Sequence, residues 1–267
     1  MQNFNIHTHT WRCRHAKGTD EEYVLSAIRC GLKVLGFSDH CPFECLVDVN
    51  DRMNVELNPD YLHSIESLKE KYRDQITIYT GYEFEYYPSL IEEILQRREQ
   101  SDYMILGNHY LTPDGADLCE GADDEAVVQY AERIREAIER GLVDAVAHPD
   151  YFMMGRDHWS QACDEASEII CRACSDAGIP LEINLNGIRY GKKEYQEGTL
   201  YPYPWKRFWE IASRYHCKAI YGMDAHAPEQ LSLIAERIEQ VGQWIDTDEL
   251  EMIENFDLSL FGKRKNL

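Results

Sequence analysis

Short apolar runs alternate with amphipathic helical stretches along the whole chain of 267 residues. Each run is too short for a helix and predicts a buried strand, whereas the stretches between them have the spacing of one-sided helices. Repeated strand–helix units predict a parallel sheet, because parallel neighbours need a crossover connection. The predicted strands are Asn3–His7, Lys33–Ser38, Ile76–Glu83, Tyr103–Asn108, Asp144–Ala147, Leu181–Leu185 and Ala219–Tyr221. The predicted helices lie near Asp20–Cys30, Pro59–Tyr72, Pro88–Arg97, Asp123–Arg140, Gln161–Ala177, Trp205–Tyr215 and Pro228–Gln243.

The number of these units predicts that the sheet closes into a barrel. No linker rich in Pro, Gly or Ser interrupts the alternation, so we expect one α/β domain spanning residues 1–267. Asp20 is predicted to cap the first helix at its amino end. Gly31, Gly141 and Gly178 stand where three helices are expected to stop.

Composition restricts the partners of the protein. A net charge of −21 argues against nucleic acid or an anionic membrane, since both require a basic surface. Nine cysteines, an odd number without paired spacing, favour a reducing compartment over a disulfide framework. No apolar run approaches the roughly 18–20 residues of a membrane span, and the first ten residues do not resemble a signal peptide. We therefore expect a cytoplasmic protein, and its oligomeric state stays open.

Histidines and carboxylates follow almost every predicted strand. In a parallel barrel, the carboxyl ends of the strands form one rim, where catalytic groups lie. Seven of the ten histidines fall at this rim, together with two carboxylates. Strand period two also directs His7 and His9 to one face, and Asp224 and His226 repeat that spacing. The complete set is His7, His9, His15, His40, Glu83, His109, His148, Asp224 and His226.

This set predicts a metal centre. A single histidine after a strand is more often a loop residue, but nine such groups at one mouth would repel one another and lose hydration. Divalent cations remove that cost, and nine ligands exceed the four to six that one ion takes. We expect two or three ions, with a carboxylate bridging. Imidazole and carboxylate ligands together suit Zn, Mn or Fe.

Such a centre predicts phosphoryl hydrolysis. Paired metal ions about 3.5–4 Å apart activate a hydroxide and stabilise the developing charge on phosphorus. They also give an acidic protein a local positive site for a small phosphorylated substrate. Glu83, Asp224 and His226 are the predicted catalytic residues, and Glu85 is a rival of Glu83 for the bridging position because it has the same orientation.

The motifs resemble those of the PHP (polymerase and histidinol phosphatase) family from about residue 5 to residue 230. The similarity rests on the ligand set above, within His7-Thr8-His9-Thr10, Ser38-Asp39-His40 and Asp224-Ala225-His226. It implies a distorted (β/α)7 TIM-like barrel, the PHP fold, with a trinuclear site. It also implies that one ion is held by His7, His9, Glu83 and Asp224, a second by His15, His148 and His226, and a third by His40, Glu83 and His109.

Within this family, the chain is similar to the histidinol-phosphatase branch at Gly36–Pro42, Gly81–Glu83 and Glu182–Arg189. This resemblance implies hydrolysis of L-histidinol phosphate to L-histidinol and phosphate. It also implies that arginines near the mouth bind the phosphate, and the matching positions are Arg189 and Arg52. Arginine suits this role because its planar fork meets two phosphate oxygens.

Further residues are candidates for contact with the substrate or the ligands. Arg156 and His158 lie in the loop after the fifth strand and are predicted to reach the mouth. Asp39 and Asp150 flank ligands and are candidates for orienting imidazoles. Tyr201, Tyr203 and Trp205 are candidates for a pocket wall, although packing is the commoner role of such residues.

Several alternatives stay open. The same site would serve another small phosphomonoester, a nucleotide or phosphotyrosine. An exonuclease is disfavoured by the charge of −21. A non-catalytic metal-binding module would be expected to lack a ligand, yet all nine positions are filled. Leu185-Asn186 stands where the branch has small hydroxyl residues, and Asn108 also departs from its pattern. These departures leave the leaving alcohol open.

Overall fold

The computed structural model of the chain describes residues 2–46 and 51–258. Eight parallel strands form one sheet, in the order β1-β2-β3-β4-β5-β6-β9-β10. They are β1 (Phe4–Asn5), β2 (Val34–His40), β3 (Thr77–Phe84), β4 (Tyr103–Leu106), β5 (Ala145–Val146), β6 (Leu181–Asn184), β9 (Lys218–Gly222) and β10 (Glu251–Met252). Two further strands, β7 (Lys193–Tyr195) and β8 (Gly198–Leu200), make a separate antiparallel hairpin.

Helices connect the parallel strands and pack against the outer face of the sheet. They are α1 (Asp20–Arg29), α2 (Asn58–Tyr72), α3 (Ile91–Glu99), α4 (Asp124–Glu139), α5 (Gln161–Ala177), α6 (Lys206–Arg214) and α7 (Ile234–Val241). Thr19 caps α1 through a capping box with Glu22, so the predicted cap at Asp20 is one residue too late. Gly31, Gly141 and Gly178 follow helices with φ between +70° and +78°, the left-handed region that glycine adopts without strain.

The sheet curls until the chain on either side of β1 meets the segments that follow β9 and β10. The N–H of His9 donates to the carbonyl of Ala225 (2.9 Å), and the N–H of Ala225 donates to the carbonyl of His7 (3.1 Å). At the opposite end β10 pairs with β9, and the N–H of Asn3 donates to the carbonyl of Glu254 (3.1 Å). The predicted parallel barrel is therefore confirmed. β10 is an addition to the seven predicted strands, and its two residues leave no pattern to detect.

Tyr103 fills the centre of the barrel beneath the rim. Its hydroxyl donates to the carbonyl of Ile6 (2.6 Å), and its ring is buried. A Cβ on Gly36 would lie 2.4 Å from its Oη, and one on Gly81 would lie 2.5 Å from its Cζ. The two glycines therefore make room for the ring, which forms part of the floor on which the rim residues stand. No helix within the described ranges is long and apolar enough to cross a membrane.

Candidate metal centre

Glu83 lies at the middle of the rim. It comes from the carboxyl end of β3, is 2% exposed, and points into the barrel mouth. Its Oε2 lies 3.1 Å from Nδ1 of His40 and 3.5 Å from Nε2 of both His7 and His9. Its Oε1 lies 2.8 Å from Nε2 of His148, and His109 is next, with Nε2 at 3.9 Å. One carboxylate thus faces imidazoles that follow four different strands.

Asp224 organises the other side of the rim, just after β9. Its Oδ1 lies 3.0 Å from Nε2 of His9 and 3.5 Å from Nε2 of His7. His226 follows two residues later, and its Nε2 lies 2.8 Å from Nε2 of His15. All nine residues proposed from their position after a strand are therefore brought together.

The structure divides the donors differently from the sets that the resemblance implies. His148 groups with His7 and Glu83, whereas His15 groups with His40 and His226. The strand order explains this arrangement, since β5 lies near β3 while His15 and His226 lie where β1 and β9 meet.

The donor set fits divalent cations. Glu83 Oε2 and Asp224 Oδ1 are buried, and although imidazole nitrogens lie 3.1 Å and 3.0 Å away, no described residue is oriented to donate a hydrogen bond to them, which is costly for a carboxylate oxygen. Imidazole nitrogens also face one another, at 3.1 Å between Nε2 of His7 and Nε2 of His9. Two neutral imidazoles can share only one proton, so this crowding of lone pairs is satisfied best by cations between them.

The electrostatics of the protein without cations show the same excess of negative charge. Burial alone would lower the pKa of His7, but Glu182, Asp224 and Glu83 raise it to about 10. Burial also opposes protonation of His109, yet Glu83 and Glu85 raise its pKa to about 9. Protons on these rings then compensate the carboxylates that cations would otherwise neutralise.

The charges act in the opposite direction on the carboxylates. Burial would raise the pKa of Glu83, but His40 and His7 hold it well below its usual range. His7 and His226 do the same to the pKa of Asp224 against the effect of burial. Both carboxylates are thus kept ionised, as ligands for a cation must be.

Each imidazole that faces the cluster through Nε2 directs its Nδ1 away from it. Carbonyls of Cys13 and Asp224 lie 2.9 Å from Nδ1 of His15 and of His226. Carboxylates occupy this position for three other rings, and hydrogen bonds to this nitrogen commonly fix the tautomer of a ligand. They are Glu182 at 2.8 Å from His7, Asp39 at 3.5 Å from His9 and Glu85 at 3.4 Å from His109.

Sequence reasoning identified only part of this outer layer. Asp39 was proposed to orient an imidazole and lies beside His9. Asp150 was proposed for the same role, but its Oδ2 accepts the N–H of Trp205 (2.5 Å) instead. Glu182 was missed; its place two residues before Asn184 in β6 was the available signal, because both side chains face the barrel interior.

Of the four residues proposed to contact substrate, one lines the cavity of about 210 Å³ above the cluster, and that residue is Arg189. Arg52 is buried, and its Nη1 lies 2.6 Å from Oε2 of Glu85. Arg156 binds Asp124 at 2.7 Å, and His158 pairs with Asp157. The guanidinium groups of Arg52 and Arg156 are therefore engaged by carboxylates of the protein, and the structure does not bring them or His158 into this cavity.

Two carboxylates outside the metal cluster line the same cavity. Asp51 accepts a hydrogen bond from Tyr110 (2.6 Å), and Asp117 accepts one from Tyr151 (3.0 Å). Tyr203 is buried in the cavity wall, as proposed. Tyr201 instead stacks on Trp244 with centroids 5.0 Å apart, in a separate groove that Trp205 also lines.

Comparisons with known proteins agree with this geometry. The model of the PHP domain family matches residues 5–186. A probable histidinol-phosphatase of Deinococcus radiodurans is 31% identical over 159 residues, which cover 54% of this chain and 59% of that protein. The histidinol-phosphatase of Bacillus subtilis is 26% identical, over 85% of this chain and 94% of its own. The fold is also that of histidinol phosphate phosphatase from Lactococcus lactis, solved with zinc, L-histidinol and phosphate (TM-score 0.68, 17% identity, coverage 98% and 99%).

Proposed function

The chain belongs to the PHP domain family, and from this premise we propose that it is a metal-dependent phosphomonoesterase acting on L-histidinol phosphate. The products would be L-histidinol and phosphate. The observation that carries the proposal is the convergence of nine residues with nitrogen or oxygen donors, six of which line one cavity together with Arg189. The names of the relatives from Deinococcus and Bacillus support this choice of substrate. We also propose that residues 1–267 form one catalytic domain.

Three donor groups would hold the cations. The first is His7, His9 and Asp224, the second is His7, Glu83 and His148 with His109 nearby, and the third is His15, His40 and His226. Zn, Mn or Fe, when bound, supplies positive charge that activates water and stabilises the charge developing on phosphate. Glu83 has a central role because both of its oxygens face ligand imidazoles, so we assign it to the bridging position.

Arg189 would bind the phosphate from the open side of the cavity. Its Nη2 donates to the hydroxyl of Tyr190 (2.7 Å), and its Cζ lies 4.7 Å from the centroid of that ring. No carboxylate is within ion-pair distance of it among the residues that the structure describes. Its fork is thus available for two phosphate oxygens.

The loop that carries Arg189 is itself anchored. Arg237 on α7 donates from Nη1 to the carbonyl of Leu185 (2.6 Å), directly before this loop. Gly187 packs so tightly that a Cβ there would lie 2.1 Å from the carbonyl oxygen of Tyr203. These contacts hold the guanidinium over the cavity and reduce the conformational freedom lost when a phosphate binds.

Two carboxylates of the cavity wall, Asp51 and Asp117, would select the leaving alcohol. Asp51 and Asp117 are tied to tyrosines and lie in the cavity without belonging to the donor groups. An alcohol with an ammonium group, such as histidinol, would gain from these charges, whereas a nucleotide or a phosphotyrosine peptide brings no such cation to this place. This part of the cavity therefore favours histidinol phosphate over those alternatives.

Steady-state kinetics of the zinc- and manganese-loaded protein test the proposal. The panel is L-histidinol phosphate, a phosphotyrosine peptide, a nucleoside monophosphate and 4-nitrophenyl phosphate, whose leaving group carries no ammonium. We expect the highest kcat/KM for L-histidinol phosphate and loss of all activity in a chelator. Asp117→Asn should reduce kcat/KM for L-histidinol phosphate more than for 4-nitrophenyl phosphate. A higher kcat/KM for phosphotyrosine or the nucleotide would contradict the proposed substrate.

A further inference from the structure

Glu182 stands beneath the metal cluster and contacts two of its ligands. It comes from β6, is 1% exposed, and points into the barrel. Its Oε1 lies 2.8 Å from Nδ1 of His7, and its Oε2 accepts the backbone N–H of His148 at 3.0 Å. The amide of Asn184 also donates to Oε2 (3.0 Å). Both oxygens are therefore engaged, and each acts on a different ligand residue.

The contact with His7 determines which nitrogen of that ring faces the cluster. A carboxylate accepts hydrogen bonds, so Nδ1 must carry the proton. In the neutral ring, the form that can bind a metal ion, Nε2 then keeps its lone pair on the side of Glu83 and Asp224, both 3.5 Å away. Without this acceptor the ring would be free to adopt the other tautomer, in which the nitrogen facing the cluster carries the proton.

The contact with His148 supports a backbone conformation that is costly for a side chain. The φ of His148 is +27°, which non-glycine residues rarely adopt and which surrounding contacts must maintain. The backbone N–H of this strained residue is the group that donates to Glu182. This hydrogen bond holds the backbone where the ring reaches Glu83, with 2.8 Å between Nε2 and Oε1.

The neighbouring strand leaves space for this carboxylate. A Cβ added to Gly222 in β9 would lie 1.6 Å from Oε1 of Glu182, so no larger residue fits while Glu182 keeps its position. The register pairs Asn184 with Gly222, which places the glycine two residues beyond Glu182 along the barrel. The position of the Glu182 carboxylate therefore requires a glycine at position 222.

We propose that Glu182 is a positioning residue that sets the tautomer of His7 and the backbone of His148, and so supports both donor groups that contain them. This inference rests on the metal dependence in the proposed function and is independent of its substrate. Removing the carboxylate should weaken metal binding in both groups together, because His7 belongs to both and His148 to the second.

Glu182→Gln is the most informative variant, because it changes little in shape. A glutamine offers one acceptor and one donor, whereas His7 Nδ1–H and His148 N–H both require acceptors. Either orientation of the amide therefore loses one of the two bonds. Asp144→Asn is the matched control: this carboxylate is also buried and bound by Arg98 (3.1 Å) and the N–H of Met104 (2.8 Å), but it lies before β5, at the other end of the barrel.

Zinc affinity should be measured on metal-free protein by competition with a chromophoric chelator. We expect Glu182→Gln to bind zinc about 10- to 100-fold more weakly than the wild type. The affinity of Asp144→Asn should stay close to that of the wild type. Equal affinity of Glu182→Gln and wild type would overturn the inference, as would an equal loss in Asp144→Asn. A wild-type protein that binds no zinc would instead refute the proposed function.

A second measurement needs no variant. Long-range ¹H–¹⁵N spectra of the zinc-loaded wild-type protein report which nitrogen of His7 carries the proton. We expect a proton on Nδ1 and a metal-bound Nε2. The opposite assignment would overturn the inference even if Glu182→Gln did not fold.

Discussion

The proposed metal-ligand cluster lies beside a second group of cavity residues, Arg189, Asp51 and Asp117, which we call the substrate rim. The two groups are held in different ways. Most of the proposed ligands stand at or just after the ends of paired parallel strands, and His7 and Glu83 are at most 2% exposed; His15, on the loop after β1, is the exposed member. Arg189 and Asp117 stand on loops after β6 and β4 and are more accessible to solvent. The ladder of the sheet places the first group, whereas a few side-chain bonds place the second.

This difference has a functional consequence. A rigid sheet preserves the geometry of the reacting centre, while loops can change without disturbing it. The account therefore predicts that changes in the cluster abolish chemistry and metal binding together. Changes in the substrate rim should alter the choice and affinity of substrate while the metal content stays the same.

Glu83→Ala should have the largest effect and is the severest test of this comparison. Its two oxygens face imidazoles from four strand ends, including His109 at 3.9 Å, so we expect activity at background and loss of at least one ion. Metal content by elemental analysis and turnover of L-histidinol phosphate measure both effects. Glu85→Gln is the control, because Glu85 contacts the cluster only through His109; a weaker loss of about 10- to 100-fold in metal affinity is expected there. Full metal loading of Glu83→Ala would transfer the bridging role to Glu85.

Arg189→Ala should show that the substrate rim can be changed without an effect on the ligand cluster. A charge-assisted hydrogen bond contributes roughly 1.5–3 kcal/mol, so kcat/KM should fall about ten- to a hundredfold with unchanged metal content. Arg189→Lys should also lose activity, because an ammonium does not reproduce the planar fork. Arg156→Ala serves as the control, since that guanidinium is bound to Asp124 outside the cavity. If Arg189→Ala retained wild-type efficiency, phosphate recognition would have to lie in the metal ions alone.

Proton release on metal binding is the smallest effect and concerns the cluster alone. The pKa of His7 is raised to about 10 and that of His109 to about 9, so both rings are protonated at pH 8 in the metal-free protein. Asp224 and Asp39 also raise the pKa of His9 above its ordinary value, against the effect of burial. Imidazoles must be neutral to ligate, so zinc binding at pH 8 should release about two protons, from His7 and His109, and the affinity should fall as the pH is lowered.

Calorimetry of zinc binding in two buffers with different ionisation enthalpies counts these protons. The substrate rim releases no protons on zinc binding, so Arg189→Ala should release the same number of protons as the wild type. Binding without proton release would mean that the neighbouring carboxylates do not keep these rings protonated in the metal-free protein.

The sequence allowed the cluster to be predicted because its signal is topological. A residue after a parallel strand has its place determined by the strand, so His148 could be placed from a short apolar run alone. The rim and the outer layer depend on which charges pair, and pairing is not visible in one sequence. Arg52 matched a phosphate-binding position, but Glu85 binds its guanidinium at 2.6 Å. The strand pattern directs Glu182 into the barrel, but its role was missed because that role depends on contacts with His7 and His148, which lie far along the chain.

Anomalous diffraction at the zinc edge, from crystals of the zinc-loaded protein, tests the central claim most directly. The account predicts two or three peaks in the barrel mouth, with imidazole nitrogens of the seven histidines of the cluster about 2.0–2.3 Å from the ions. Glu83 should lie between two of the ions. Absence of peaks in that mouth, or zinc bound only elsewhere on the protein, would contradict it.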